Sequence, residues 1–153
     1  MALQEYVLPE GKALVIRTCN ADMTSRSDKA NGFRWPESGP VECPDWDPAP
    51  SCGQGLHGLL DGIGNFGLCS GEIDAKWLLV EVERSECVVI DEQKVKFPRG
   101  NVIYCGDMAT AMTYIGKHYI RLMIDANREA VSGVEAASGD SSNLAASGHY
   151  SKL

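Results

Sequence analysis

Apolar residues in this chain fall into short runs bounded by turn-formers, a pattern that predicts strands through most of its length and helix only near the end. Lys12–Thr18 (KALVIRT), between Gly11 and the Asn20-Ala-Asp turn, is rich in β-formers and predicts a first strand. Cys19–Asn31 is polar and reads as a surface loop; Gly32–Pro36 (GFRWP) reads as a short strand that its proline ends. The stretch Glu37–Gly53 carries Pro40, Pro44, Pro48 and Pro50, which predicts irregular chain. Gly55–Leu60 is a brief apolar run before the glycine-rich loop Asp61–Gly67. Ala75–Glu83 (AKWLLVEVE) is the strongest strand signal. Its Trp77, Leu79 and Val82 break a strict alternation, so both of its faces are expected to be partly covered. Cys87–Asp91 and Lys94–Phe97, two polar residues apart, predict a hairpin, and Asn101–Cys105 a further strand. Asp107 is placed to cap a helix in which Met108, Met112, Ile115, Tyr119 and Met123 make a buried stripe through Asn127, with Gly116 as a point of division.

The last eighteen residues repeat a nine-residue unit, AASGDSSNL (Ala136–Leu144) then AASGHYSKL (Ala145–Leu153), with a degraded copy, AVSGVE, at Ala130–Glu135. A fixed short period is the mark of units that stack on their neighbours. The expected class is therefore α+β: residues 1–129 as a head with a small, mostly antiparallel sheet and one or two C-terminal helices, then residues 130–153 as the start of a nonapeptide solenoid. The chain stops at a repeat boundary, which implies a longer natural array and self-association through the repeats. An Ala/Ser/Gly linker is the competing reading of the same composition.

Charge narrows the partners. The formal net charge is −7, from scattered acids, so the surface repels nucleic-acid phosphates and direct nucleic-acid binding is not expected. No apolar run reaches membrane-spanning length and the N-terminus lacks a signal-peptide pattern, so a cytoplasmic protein is expected. In that compartment the six cysteines read as free thiols.

The densest polar cluster is Cys43–His57 (CPDWDPAPSCGQGLH). Cys43, Cys52 and His57, with Asp45 or Asp47, could supply four zinc ligands, but their spacing fits no recurring zinc pattern, and two thiols filling small apolar gaps are the plainer reading. No metal or cofactor is therefore assigned. Gly53 and Gly55 let the backbone approach a ligand, and His57 follows as an anchor or general base; a histidine satisfied within a turn is the plainer reading. Trp46, stiffened by prolines and flanked by Asp45 and Asp47, has the character of an interface anchor. Arg17, Asn20 and Asp22 stand at a strand end, with position alone to recommend them. No catalytic residue is assigned; if the chain is an enzyme, Arg17 and His57 are the candidates.

Taken together, IRTCNADMTS, FRWPESGPVE, PDWDP, CGQGLHG, AKWLLVEV, KFPRGNVIYCGD and the AASG repeats resemble a phage- and prophage-encoded family in which a small head with a C-x-x-G-[LF]-H element precedes Ala/Ser/Gly-rich repeats. That resemblance implies an accessory protein in the host cytosol that binds a bacterial host protein, such as a defence or regulatory factor, through Asp45, Trp46, Asp47, Gly53, Gly55 and His57. A virion-associated spacer is the structural alternative. CGQGLHGL followed by AKWLLVEV is also similar to part of ADP-ribosyltransferase-like folds, which would imply NAD, with Arg17 on the first NAD-contacting strand and His57 on the second. The sequence departs from those enzymes in offering no glutamate to orient the nicotinamide ribose: Glu81 sits within a strand and Asp107 at a helix start.

Overall fold

Strand β1 (Lys12–Cys19) occupies the middle of an antiparallel sheet whose other described strands are β2 (Gly39–Glu42), β3 (Leu56–Leu60), β4 (Lys76–Glu83), β5 (Val88–Asp91), β6 (Lys94–Phe97) and β7 (Arg99–Gly106). The computed structural model describes residues 6–25 and 32–140, and the chain divides into two compact units, residues 1–117 and 118–153. One helix, α1 (Met108–Asp140), contributes to both.

The strand order is β2-β7-β4-β1-β3-β6-β5. On one side β1 pairs with β4 without interruption, from Lys12↔Glu83 to Cys19↔Lys76. On the other it meets β3 at only two positions, Val15↔Leu60 and Ile16↔Leu59. The β5–β6 hairpin turns between Asp91 and Lys94 as the sequence predicts, the Asp91 carboxylate accepting from the backbone N–H groups of Gln93 and Lys94. A single residue, Pro98, separates β6 from β7, yet β4, β1 and β3 stand between those two strands in the sheet. Only a rolled sheet brings its second and sixth strands together this way, so the hydrogen-bonded path β7-β4-β1-β3-β6 is closed by the backbone at Pro98.

Both faces of β4 are buried, as its broken alternation predicts. Leu78, Val80 and Val82 join Val15, Val95, Phe97, Val102 and Trp35 in one cluster, inside the roll. Trp77 and Leu79 join Leu14, Ile16, Leu59 and Ile103 in the other, which the first turns of α1 cover with Ala111 and Ile115. Asp107 caps that helix: its Oδ1 accepts from Thr110 N–H at 2.8 Å and its Oδ2 from the Tyr104 hydroxyl at 2.9 Å. These bonds to its ionised form hold the Asp107 carboxyl below its usual range.

Four expectations change. β2 forms inside the proline-rich stretch because it is an edge strand, where Pro40, opposite Asn101, need not donate to a second neighbour. Gly32–Pro36 makes an isolated bridge, Thr24↔Arg34, rather than a strand. The helical stripe is displaced: within the first unit burial falls on Ala111 and Ile115, while Met108 and Met112 are exposed, since the cap at Asp107 fixes which face meets the sheet. Finally, α1 runs through Gly116 and on to Asp140, so residues 130–140 are helical rather than the first coils of a solenoid. Ala130, Ala136 and Ala137 favour helix there, and Gly133 and Gly139 are tolerated within it. The remaining repeat residues, 141–153, lie outside the described residues. Among the described residues no helix is long and apolar enough to cross a membrane.

Candidate ligand-binding cavity

The two-residue β1–β3 ladder ends at Ile16 and Leu59, and beyond it the strands part. β1 continues along β4 to Cys19, whereas Leu56, His57 and Gly58 turn to β6, opposite Phe97, Lys96 and Val95. The separation begins at a point of very close approach. A Cβ on Gly58 would lie 2.2 Å from Val15 Cγ1 and 2.8 Å from the Ile16 carbonyl, so only glycine fits there. A cavity of about 790 Å³ opens at the parting, walled by β1, β3, the Phe33–Trp35 segment and the Cys43–Asp45 and Cys52–Gly55 loops.

Strands that part leave backbone carbonyls without partners. Arg17 supplies them. Its Nε and Nη2 donate to the Thr18 carbonyl at 3.3 and 3.2 Å, and its Nη1 donates to the His57 carbonyl at 3.2 Å, tying the two strands across the gap. The guanidinium lies 4.0 Å from the centroid of the Trp35 ring, and Trp35 is fixed in turn by Phe33 edge-on at 5.5 Å and by a bond from its Nε1 to Ser25 Oγ. No carboxylate of the described residues lies within 4.0 Å of Arg17, and burial lowers its pKa to about 10. It therefore remains charged at neutral pH. Three of its five N–H groups are committed to carbonyls, and the other two have no hydrogen-bond acceptor among the described residues.

His57 lines the same cavity. Burial first, then the charges of Lys94, Arg17 and Lys96, push its pKa down to about 4, against a small opposing effect of a hydrogen bond to the Gly55 backbone. The imidazole is neutral at pH 7. Its Nε2 is buried and has no hydrogen-bond partner among the described residues. Since the Gly55 bond engages the other ring nitrogen, Nε2 carries the lone pair and is left as an unmet acceptor on a residue that lines the cavity. Lys94, at the start of β6, adds an ammonium to the lining.

The remaining candidates divide. Asp45, Gly53 and Gly55 line this cavity beside His57. The Cys43 thiol donates to Asp45 Oδ1 at 3.1 Å, and the Cys43 pKa is raised, burial being the main cause. Trp46 lies instead half-buried against the core inside the roll, its ring over the Lys96 ammonium at 5.5 Å, and it packs on Gly55, whose Cβ would stand 3.1 Å from the indole. Asp47 is used locally, accepting from Ala49 N–H. Among the described residues no group of three His, Cys, Asp or Glu side chains is placed to hold a metal ion, so Cys43, Cys52 and His57 do not form a metal centre. Asn20 and Asp22 close a turn through Thr24. Sequence reasoning passed over Trp35, Gly58 and Lys94. The one signal for Trp35 was the GFRWP motif, and for Gly58 a glycine inside an apolar run.

Comparison with known proteins places this fold. A family described as Domain of unknown function (DUF7666) matches residues 13–113, from β1 through the first turn and a half of α1. The chain belongs to that family. The DUF7666 region contains the described strands, but for Lys12 at the start of β1, and the described residues of the cavity lining. Proteins named as ice nucleation proteins match about seven tenths of the chain. InaU of Pantoea ananas is 38% identical over 112 residues, 72% of this chain and 10% of that protein. An ice nucleation protein of Xanthomonas campestris pv. translucens is 38% identical over 105 residues, 68% of this chain and 6% of that protein. One of Pseudomonas syringae is 38% identical over 105 residues, 68% and 9%. The chain thus spans about a tenth or less of the length of these curated relatives. No solved structure matches.

These matches overturn the phage and prophage reading. The relatives are bacterial ice nucleation proteins, so the resemblance, the viral context and the role as an accessory factor against a host protein all fall, and the virion spacer and ADP-ribosyltransferase alternatives fall with them. The motifs that suggested a phage family, from IRTCNADMTS to KFPRGNVIYCGD, lie almost wholly inside the DUF7666 match. They are marks of this domain rather than of a mobile element.

Proposed function

We propose that this chain serves ice nucleation as a head module that supports a nucleating protein, rather than as the ice-templating surface itself. The observation that carries the reading is the 38% identity over 112 residues to a protein named for ice nucleation, of which the chain spans one tenth. The fold is consistent with the division of labour. Ordering water into a lattice calls for a broad, regular, exposed face, whereas in the first unit both faces of the sheet are occupied, one by Ala111 and Ile115 of α1 and the other by the rolled strands and the Phe33–Trp35 segment.

Droplet freezing tests this. Residues 1–117 replace the matching segment of the Pseudomonas syringae relative, expressed in bacteria, next to a version with that segment deleted. The chimaera is expected to freeze droplets close to the temperature of the intact protein and well above the deletion. Freezing at the deletion's temperature, with the chimaera expressed at equal level, overturns the proposal. The chain alone is expected to leave the freezing temperature of buffer unchanged.

A further inference from the structure

We infer that the cavity at the parting of β1 and β3 binds a small phosphate monoester whose organic part carries a hydroxyl, of the sugar-phosphate class. The inference stands on the cavity itself and is independent of any role in ice nucleation.

Charge is the first argument. The chain is acidic, with a net charge of −7, yet Arg17 and Lys94 line the cavity with His57 and neither has a carboxylate partner within 4.0 Å among the described residues. Among the described lining residues Asp45 is the one acid; it accepts from the Cys43 thiol, and its single negative charge leaves the two cations in excess. A cationic concavity in an acidic protein attracts an anion against the trend of its own surface.

Hydrogen-bonding capacity is the second. Arg17 is held rigidly by three bonds to two carbonyls and by the Trp35 face, so its two uncommitted N–H groups are preorganised, and little side-chain entropy remains to be lost on binding. Two N–H groups together with the Lys94 ammonium suit a doubly charged group with three terminal oxygens better than a carboxylate, which the guanidinium alone would satisfy. The buried Nε2 of His57 needs the opposite kind of partner, a donor, and a hydroxyl next to the phosphate supplies it. The apolar part of the lining, Ile16, Leu56, Leu59 and Phe33, gives the carbon skeleton a dry surface, and about 790 Å³ exceeds what a hexose phosphate needs.

The test is NMR titration of the isotope-labelled 153-residue chain, following Arg17 Nε–H and the His57 ring, with glucose 6-phosphate, inorganic phosphate, glucose and gluconate as separate probes. Glucose 6-phosphate is expected to shift both groups with a dissociation constant below about 1 mM, inorganic phosphate to bind about tenfold more weakly, and glucose not to bind. Arg17→Lys keeps a cation but loses the fork, and should weaken glucose 6-phosphate by at least about tenfold. Because Arg17 also bridges the strands, Lys94→Gln serves as the second variant: it leaves the ladder intact and should weaken binding by about three- to tenfold. His57→Phe should erase the advantage of glucose 6-phosphate over inorganic phosphate while leaving inorganic phosphate nearly unchanged. The assignment is overturned if no probe moves Arg17 or His57 up to about 10 mM, if gluconate binds as tightly as glucose 6-phosphate, or if Lys94→Gln, folded by its spectrum, binds undiminished.

Discussion

The two sides of β1 present the same strand in opposite conditions. Toward β4 it is paired at eight successive positions, Lys12 to Cys19, and the side chains beyond are nearly all inaccessible to water. Toward β3 it is paired at two, and past Ile16 the ladder is replaced by one arginine side chain. The paired side gains its stability from continuous backbone bonding and buried aliphatic surface. The parted side gives up that ladder for a cavity and retains two backbone carbonyls by means of a guanidinium. Stability and a binding concavity are thus placed on the two edges of one strand, and a change on either edge should be readable separately.

The largest effect is expected on the paired side. Leu78 is fully buried opposite Arg17 and Cys105, and Leu78→Ala should cost about 3–4 kcal/mol in urea unfolding through lost burial and the cavity left behind. A loss below about 1 kcal/mol would show that the β1–β4 ladder is not where the stability resides. Next comes the point of parting. Gly58→Ala sets a methyl group against Val15 and the Ile16 carbonyl, and should cost about 2–3 kcal/mol while altering the signals of Arg17, since the two strands must separate further. An Arg17 environment left unchanged would mean that the parting is not governed by that contact. The smallest effect is pH-dependent. His57 is neutral in the fold, with a pKa near 4, and protonates near 6.5 when the chain unfolds. The unfolded state therefore binds the proton first, and stability should be constant above about pH 6.5 and fall on the order of 1–2 kcal/mol as pH drops toward 4, the partial exposure of the ring reducing the full shift. Chemical denaturation across that range should show the decline in the native chain and a flatter curve in His57→Gln; parallel curves would place the proton elsewhere.

Much of the sheet was legible because its strands carry their own signals. Lys12–Thr18, Ala75–Glu83, the Asp91–Lys94 hairpin and Asn101–Cys105 all appear in the rolled sheet within a residue or two, and Asp107 caps α1 as its position before an apolar period suggests. β2 was hidden because proline argues against a strand in general and not against an edge strand, and edges are a property of the assembled sheet. The cavity was legible only in pieces. His57, Gly53, Gly55 and Asp45 come from one segment and read as a group, whereas Arg17 and Trp35 reach them through strand order, which local pattern does not encode. Trp46 read as an anchor because prolines and aspartates surround it in sequence; in space its ring is spent on covering Lys96 and the inside of the roll. The viral context was a misreading of domain motifs, and residues alone gave no means to separate the two.

The closure at Pro98 also orders events in time. β5, β6 and β7 are consecutive and β4 lies close before them, so that half of the roll forms from neighbouring chain. β1, the earliest of the described strands along the chain, ends as the central one, and its paired residues in β3 and β4 come at least forty residues later. A ribosome must therefore deliver the chain through Leu60 before β1 has a described partner and through Glu83 before it has its long one, and until then the apolar run Ala13–Ile16 travels unpaired. For an expressed fragment, ending the chain before β4 leaves that run without its eight-residue partner strand, and aggregation during synthesis, rather than weak native stability, is the failure to guard against.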